Sequence, residues 1–171
     1  HLLLGGRRMT GIVAIGSYVP AGRESNYAKK AQFDMDDEFI RDKLGVEEVS
    51  RKEPDEETSD LCVKAFGDLE ARLGRRIDSV DCLVVCTQNP DGAGLPHTSA
   101  IVHGKLGLPQ SCACFDVGLG CSGFVYGLAL AKGLIVSGVA RNVLLLTSET
   151  YSKFIHPRDK SNRTIFGDAA A

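Results

Sequence analysis

The stretch Ser111-Cys-Ala-Cys-Phe-Asp-Val117, followed by Gly118-Leu-Gly120 and then Cys121-Ser-Gly-Phe-Val-Tyr-Gly-Leu128, decides how this chain is read. Residues 111–117 are largely apolar and read as a buried strand. Gly118 and Gly120 bracket Leu119 in a tight turn. From residue 121 to 137 the pattern is that of an apolar helix, stopped by Gly138. Strand, turn and helix in this order place a thiol at the carboxyl end of a strand in an open α/β sheet, where ligands bind. A thiol there meets the positive end of a helix dipole, an environment that favours the nucleophilic thiolate. Gly118, Gly120 and Gly123 carry no side chain that would block a long substrate. They also leave backbone N–H groups free to face a developing oxyanion. The plainer alternative is a structural cysteine that packs a helix on a sheet. The segment is not a Gly-x-Ser-x-Gly elbow, because Leu119 takes the place of the first glycine.

Working outward, residues 11–19 are apolar and β-branched and read as a buried strand closed by Pro20. Residues 80–87 and 142–148 give two more strands, and residues 164–166 resume extended structure. Helices are predicted over 34–44, over a run from Leu61 to Leu73 and over 96–106, with Gly45, Gly74 and Gly107 as their stops. Thr58 or Ser59 is the expected cap of the second. Residues 21–33, 88–95 and 149–163 read as polar loops, and 47–57 as an exposed charged segment. Helices between apolar strands argue for an α/β fold with parallel pairing and right-handed crossovers. Near-continuous apolar strands argue that helices cover both sheet faces.

Composition narrows the function classes. A chain of 171 residues that is 43% hydrophobic has enough apolar material for one domain with a sizeable core. The net charge of -2 and the lack of a basic run argue against a nucleic-acid partner. The longest apolar stretch, 124–136, is broken by Gly127, Lys132 and Gly133, which argues against a membrane span. Residues 1–8 read as an appended segment before a natural start at Met9, too short for a signal peptide. The six cysteines form no CxxC pair and no metal-spaced set, so no metal site is expected. Free thiols inside apolar runs suit a reducing, cytoplasmic location.

The block Ala113-Cys-Phe-Asp-Val-Gly-Leu-Gly-Cys121-Ser-Gly-Phe-Val-Tyr-Gly-Leu128 resembles the active-site block of β-ketoacyl-acyl carrier protein synthase III enzymes. The resemblance runs along nearly the whole chain. Gly11-Ile-Val-Ala-Ile-Gly-Ser-Tyr-Val-Pro20 is similar to the family's first strand. Asp37-Glu-Phe-Ile40 with Gly45-Val46, the stretch from Arg51 to Thr58, Leu106-Gly-Leu108, and Ile165-Phe-Gly-Asp168-Ala are similar to further blocks in the family's order. The resemblance implies a thiolase-like fold, of which residues 9–171 would form the N-terminal βαβαβαββ half, a mixed sheet covered by helices. It implies that Cys121 accepts an acyl group from acyl-CoA. A carbanion from decarboxylated malonyl-acyl carrier protein would then attack that thioester, with no cofactor beyond the substrates.

The family's catalytic histidine and asparagine come from its second half, so the resemblance implies a missing C-terminal half and an unsatisfied apolar face. His97 and His103 fall in a predicted helix and read as structural; His156 lies in a polar loop. For CoA binding the resemblance points to Phe39, in place of a tryptophan, and to Lys43 and Lys160, in place of arginines. Lysine lacks the planar fork of arginine, and Arg158 and Arg163 are further sources of positive charge. Leu95 matches a residue that reaches the partner subunit's acyl pocket, which implies a homodimer. The bland readings are helix burial for Phe39, a solvated charge for Lys160 and a loop anchor for Leu95. Three other functions remain open: an acyl-cysteine transferase making esters, quinolones or hydroxymethylglutaryl-CoA, a non-catalytic partner subunit, and a cysteine hydrolase.

Overall fold

A computed structural model describes residues 10–171. The reading of residues 1–8 as an appended segment lies outside the described residues.

The first elements form a small polar annex. β1 (Gly22–Ser25) leads through a 3-10 turn into α1 (Lys30–Phe33), then a π-helical segment (Phe39–Leu44) and β2 (Glu48–Arg51). β2 returns antiparallel to β1, with Glu24 opposite Val49. Phe33, Met35 and Ile40 bury a small core between the strands. Gly45, with φ of 67°, ends the π-helical segment in the left-handed region where glycine is favoured.

The main layer follows. α2 (Thr58–Leu73) buries Leu61, Cys62, Ala65 and Phe66 at helical spacing. β3 (Cys82–Cys86), α3 (Thr98–Leu106), β4 (Ala113–Val117), α4 (Gly123–Val136) and β5 (Val143–Glu149) then alternate. α5 (Lys160–Arg163) is one turn long, and β6 (Ala169–Ala170) closes the order. The strands lie in the order β4-β3-β5-β6. β4 and β5 both pair parallel to β3, with Val84 opposite Phe115 and Leu145, and β6 runs antiparallel to β5. The fold is therefore the expected α/β type, with a mixed sheet covered by helices.

Every residue of β3 is buried, because the two faces of the strand enter different cores. Leu83 and Val85 pack with Cys62, Phe66, Val102, Leu144 and Leu146, under α2 and α3. Cys82 and Val84 face the other way, toward Leu130 and Leu134 of α4. Full burial of such a side chain contributes about 1.5–3 kcal/mol relative to leaving it in water, so β3 is the keel of the sheet. Among the described residues nothing covers the outer surface of α4: Phe124, Val125 and Tyr126 are 50%, 66% and 63% exposed.

Four local expectations are corrected. Residues 11–19 do not form a buried strand. Only Tyr18 bridges the sheet, exchanging backbone hydrogen bonds with Ala170 at 2.8 and 2.9 Å, and Ile12, Val13 and Ile15 are exposed. Residues 21–33 and 47–57 are not simply loop, since they hold β1 and β2. They pair through the backbone ladder, and their cross-strand side chains are charged, with Glu24 bonded to Arg51 and Arg23 to Glu48, so no apolar alternation marks them. Residues 164–166 are not extended: Ile165 and Phe166 donate to the Asn162 carbonyl in the turn that ends α5. Finally, Glu57 and not Thr58 or Ser59 caps α2, its N–H donating to the Asp60 carboxylate at 3.0 Å. Thr58 is turned inward to Thr150 Oγ1 at 2.9 Å, and Ser59 to the Asp91 carboxylate.

Leu83 is fully buried at the centre of the larger core. Leu83→Ala is expected to lower unfolding stability by about 2–5 kcal/mol, read as a lower urea midpoint at unchanged slope. A shift below about 1 kcal/mol would show that β3 is not the keel described.

Candidate active site

Cys121 stands where the strand-turn-helix reading placed it, beyond the end of β4 and two residues before α4. Leu119 N–H donates to the Val117 carbonyl at 3.0 Å, and Gly123 N–H donates to the Gly120 carbonyl at 2.7 Å, which folds residues 117–123 into a tight double turn. Among the described residues Cys121 is the exposed cysteine; Cys62, Cys82, Cys86 and Cys112 are buried and Cys114 is half-buried. Burial pushes the Cys62 thiol up to about 12, and it also raises Cys82, Cys86 and Cys112. These thiols are therefore held protonated at neutral pH, while the Cys121 sulfur is reachable from solvent. The expected helix start at Cys121 is shifted to Gly123, leaving the thiol in the turn that precedes the helix.

Gly123 is the steric requirement, since a Cβ there would collide with Cys86 Sγ. A Cβ at Gly120 would lie 2.6 Å from Gln88 Oε1, the movable end of a side chain, and one at Gly118 would meet open space. Cys86 Sγ–H donates to the Leu119 carbonyl at 3.2 Å from beneath. Gln88 is held in turn by Glu149 at the end of β5, whose carboxylate accepts from Gln88 N–H at 3.0 Å and from Thr87 Oγ1 at 3.4 Å. The loops after β3 and β4 and the end of β5 thus meet around Cys121, at the carboxyl edge of the parallel strands. Sequence reading missed Gln88 and Glu149, because their roles come from chain crossings and not from any local motif. Asp116 on β4 is an N-terminal cap of α3, accepting from Thr98 and Ser99 N–H at 2.9 and 2.7 Å.

The described histidines, His97, His103 and His156, stay outside this arrangement. His97 precedes α3, His103 contacts the Pro109 carbonyl at 3.1 Å, and His156 Nδ1 accepts from Arg158 N–H at 3.1 Å. Among the described residues no hydrogen bond joins a histidine to Cys121.

A second feature lies between the π-helical segment and α5. It is an open groove of ≈ 530 Å³ whose walls include Phe39, Leu44, Arg158, Lys160, Thr164 and Ile165. Lys160 Nζ sits 4.7 Å from the centre of the Phe39 ring and donates to the Asp34 carbonyl at 3.2 Å. The structure therefore brings together two of the four binding candidates. Lys43 is exposed on the π-helical segment and is not among the groove's lining residues. Leu95 is 80% exposed on the loop before α3, also outside the groove. Arg158 lines the groove, but Arg163 is turned away from it toward Glu24.

Comparison with known proteins agrees with this geometry. Residues 115–171 match the family model described as 3-oxoacyl-[acyl-carrier-protein] synthase III. The chain is 40% identical over 159 residues to β-ketoacyl-[acyl-carrier-protein] synthase III 2 of Halalkalibacterium halodurans, covering 93% of this chain and 47% of that protein. It superposes on the synthase III crystal structure from Thermus thermophilus with a TM-score of 0.87 at 37% identity, covering 94% of this chain and 49% of that one. The chain is β-ketoacyl-acyl carrier protein synthase III-like. Its thiolase-like fold is shared with that enzyme. The synthase III-like chain spans about half the length of the curated relatives it matches. A second relative, from Caldanaerobacter subterraneus, is 36% identical over 160 residues with 48% of its length covered.

Burial raises the Glu149 carboxyl above its ordinary value of 4.5, in spite of the hydrogen bonds from Gln88 and Thr87. The fold holds this proton to higher pH than the unfolded chain does. Stability contributed by the protonated form is present below pH 4.5 and is lost as pH rises through the raised folded value. Glu149→Gln in the synthase III-like chain is expected to raise the melting temperature at pH 7 and to leave it nearly unchanged at pH 4. Equal shifts at both pH values, measured by calorimetry, would contradict this.

Proposed function

We propose that this chain supplies the acyl-accepting half of a β-ketoacyl-acyl carrier protein synthase III-type acyltransferase. The reading is carried by one observation: the exposed cysteine of the chain stands on a glycine turn, at the sheet edge, just before a helix, in a block that matches the synthase III family. Cys121 Sγ, as thiolate, attacks the carbonyl carbon of an acyl-CoA thioester. A tetrahedral oxyanion forms, the bond to the CoA sulfur breaks, and CoA leaves as its thiolate. The backbone N–H groups of the glycine turn offer donors for the oxyanion. Malonyl-acyl carrier protein then loses CO2, and its carbanion attacks the acyl-Cys121 carbonyl, which releases the cysteine thiolate. The covalent relay divides one difficult step into two easier ones.

The groove receives the CoA nucleotide in this reading. The Phe39 ring offers a stacking face, and Lys160 and Arg158 offer charge to the phosphates. Lys43 adds charge at the rim. Leu95 reaches toward the acyl pocket of a second copy in a homodimer. The residues that activate the malonyl group lie in the second half of the complete enzyme, which covers the exposed surface of α4. The whole acts in the cytoplasm on acyl-CoA and acyl carrier protein.

Intact-mass spectrometry of the complete polypeptide with a panel of acyl-CoAs tests the reading. An acyl adduct is expected on Cys121, and Cys121→Ser is expected to lose it while condensation falls at least about 1,000-fold. No adduct with any acyl-CoA would make the chain a non-catalytic partner subunit. Rapid release of free acid without malonyl-acyl carrier protein would make it a hydrolase.

The groove assignment has its own test. Stacking of a base on an aromatic ring contributes about 1–3 kcal/mol. Phe39→Ala is therefore expected to raise KM for acyl-CoA about 5- to 150-fold with kcat little changed. A fall in kcat at constant KM would place Phe39 outside the CoA site.

A further inference from the structure

Glu24 on β1 is not part of the Cys121 turn and does not line the groove. Three cations nevertheless converge on its carboxylate. Lys29 and Arg51 form ion pairs with it, and Arg163 reaches both oxygens at 3.2 Å. These side chains are mostly withdrawn from water: Lys29 is 12% exposed, Arg51 13%, Arg163 17% and Glu24 21%. One carboxylate facing three cations, with Asp168 acting on Arg51 from further off, leaves surplus positive charge where screening is weak. Burial, together with the charges of Arg163 and Arg51, pushes the Lys29 ammonium down to about 8.

What this cluster holds explains why it matters. Arg51 donates to the carbonyls of Phe166 at 2.7 Å and Arg163 at 3.0 Å. Arg163 donates to the carbonyl of Ile155 at 3.2 Å. These carbonyls bracket residues 155–166, the segment that bears Arg158, Lys160, Thr164 and Ile165 of the groove wall. Asn26, two residues after Glu24 and fully buried, adds a cross-tie. Its Nδ2 donates to the carbonyls of Val46 and Thr164, both at 2.8 Å. One wall of the groove is thus hung from β1 and β2 through two arginines, and both arginines are oriented by a single carboxylate.

We propose that Glu24 is a positioning residue for the groove: by orienting Arg51 and Arg163 it fixes residues 155–166, so that a CoA nucleotide meets a preformed wall bearing Arg158 and Lys160. The proposal rests on the reading of the groove as the CoA site. Binding of an ordered ligand to a wall that must first be ordered costs affinity, and a preformed wall avoids that cost. The effect belongs to binding and not to the chemistry at Cys121.

The test is calorimetric titration of the complete polypeptide with coenzyme A, beside the rate of Cys121 acylation at saturating acyl-CoA. Glu24→Gln is expected to raise the Kd for coenzyme A about tenfold, with the saturated acylation rate within about twofold of the native value. A general folding lesion would lower the melting temperature and the saturated rate together. Since removal of the carboxylate alone adds repulsion, Glu24→Gln combined with Lys29→Met keeps the cluster at its native net charge and still removes the tether. That double variant is expected to melt close to the native protein and to keep the raised Kd. Lys29→Met alone is expected to leave Kd unchanged, because Lys29 bonds to none of the carbonyls of residues 155–166. A native Kd in the folded double variant overturns the positioning role while the groove reading stands. If the native protein binds no coenzyme A, both fall.

Discussion

The close approach of α4 to the sheet is the constraint on which the rest depends. At Gly123 there is no room for a Cβ beside Cys86 Sγ, and at Gly127 a Cβ would lie 2.8 Å from Leu145 Cδ1. The backbone of the helix therefore rests nearly on the side chains of β3 and β5. This contact sets the height at which α4 begins, and hence the height of the turn that carries Cys121. β3 resists the load because it is packed from both faces, with Leu83 and Val85 on one side and Cys82 and Val84 on the other. Interiors packed at crystal-like density transmit such constraints with little slack.

Around the sulfur the chain uses polar side chains to hold loops. Glu149 secures Gln88, Gln88 borders Gly120, and Asp116 and Asp91 hold the starts of α3 and α2. A similar economy governs the groove, where Asn26 and the Glu24 cluster fasten two walls that are distant in sequence. Cys121 and the groove are thus built on separate supports. One is the hydrophobic sheet with its crossing helix, and the other is the charged annex of β1 and β2.

Sequence reading captured what local periodicity encodes. The β4-turn-α4 block is legible because apolar strand, glycine turn and apolar helix follow each other without interruption, and Cys121 follows from it. The glycine stops at Gly45, Gly74, Gly107 and Gly138 are legible for the same reason, and all four take positive φ. The annex was not legible: strands paired by Glu24–Arg51 and Arg23–Glu48 look like solvated loops. Residues 11–19 mislead in the opposite sense. Their β-branched run has the composition of a core strand, yet Tyr18 alone finds a backbone partner. The pairing of Phe39 with Lys160 came from family resemblance, since nothing local links residues so far apart. The same resemblance named Lys43 and Leu95, which the fold leaves outside the groove.

The bare surface of α4 has a consequence for the thiol. Phe124, Val125 and Tyr126 follow Cys121 by three to five residues, so a body that packed against these exposed side chains would lie close to the turn that carries the sulfur. Under the proposed acyl relay, drying a thioester on Cys121 and burying the helix would then be a single event, and the lifetime of that intermediate would follow the covering of α4.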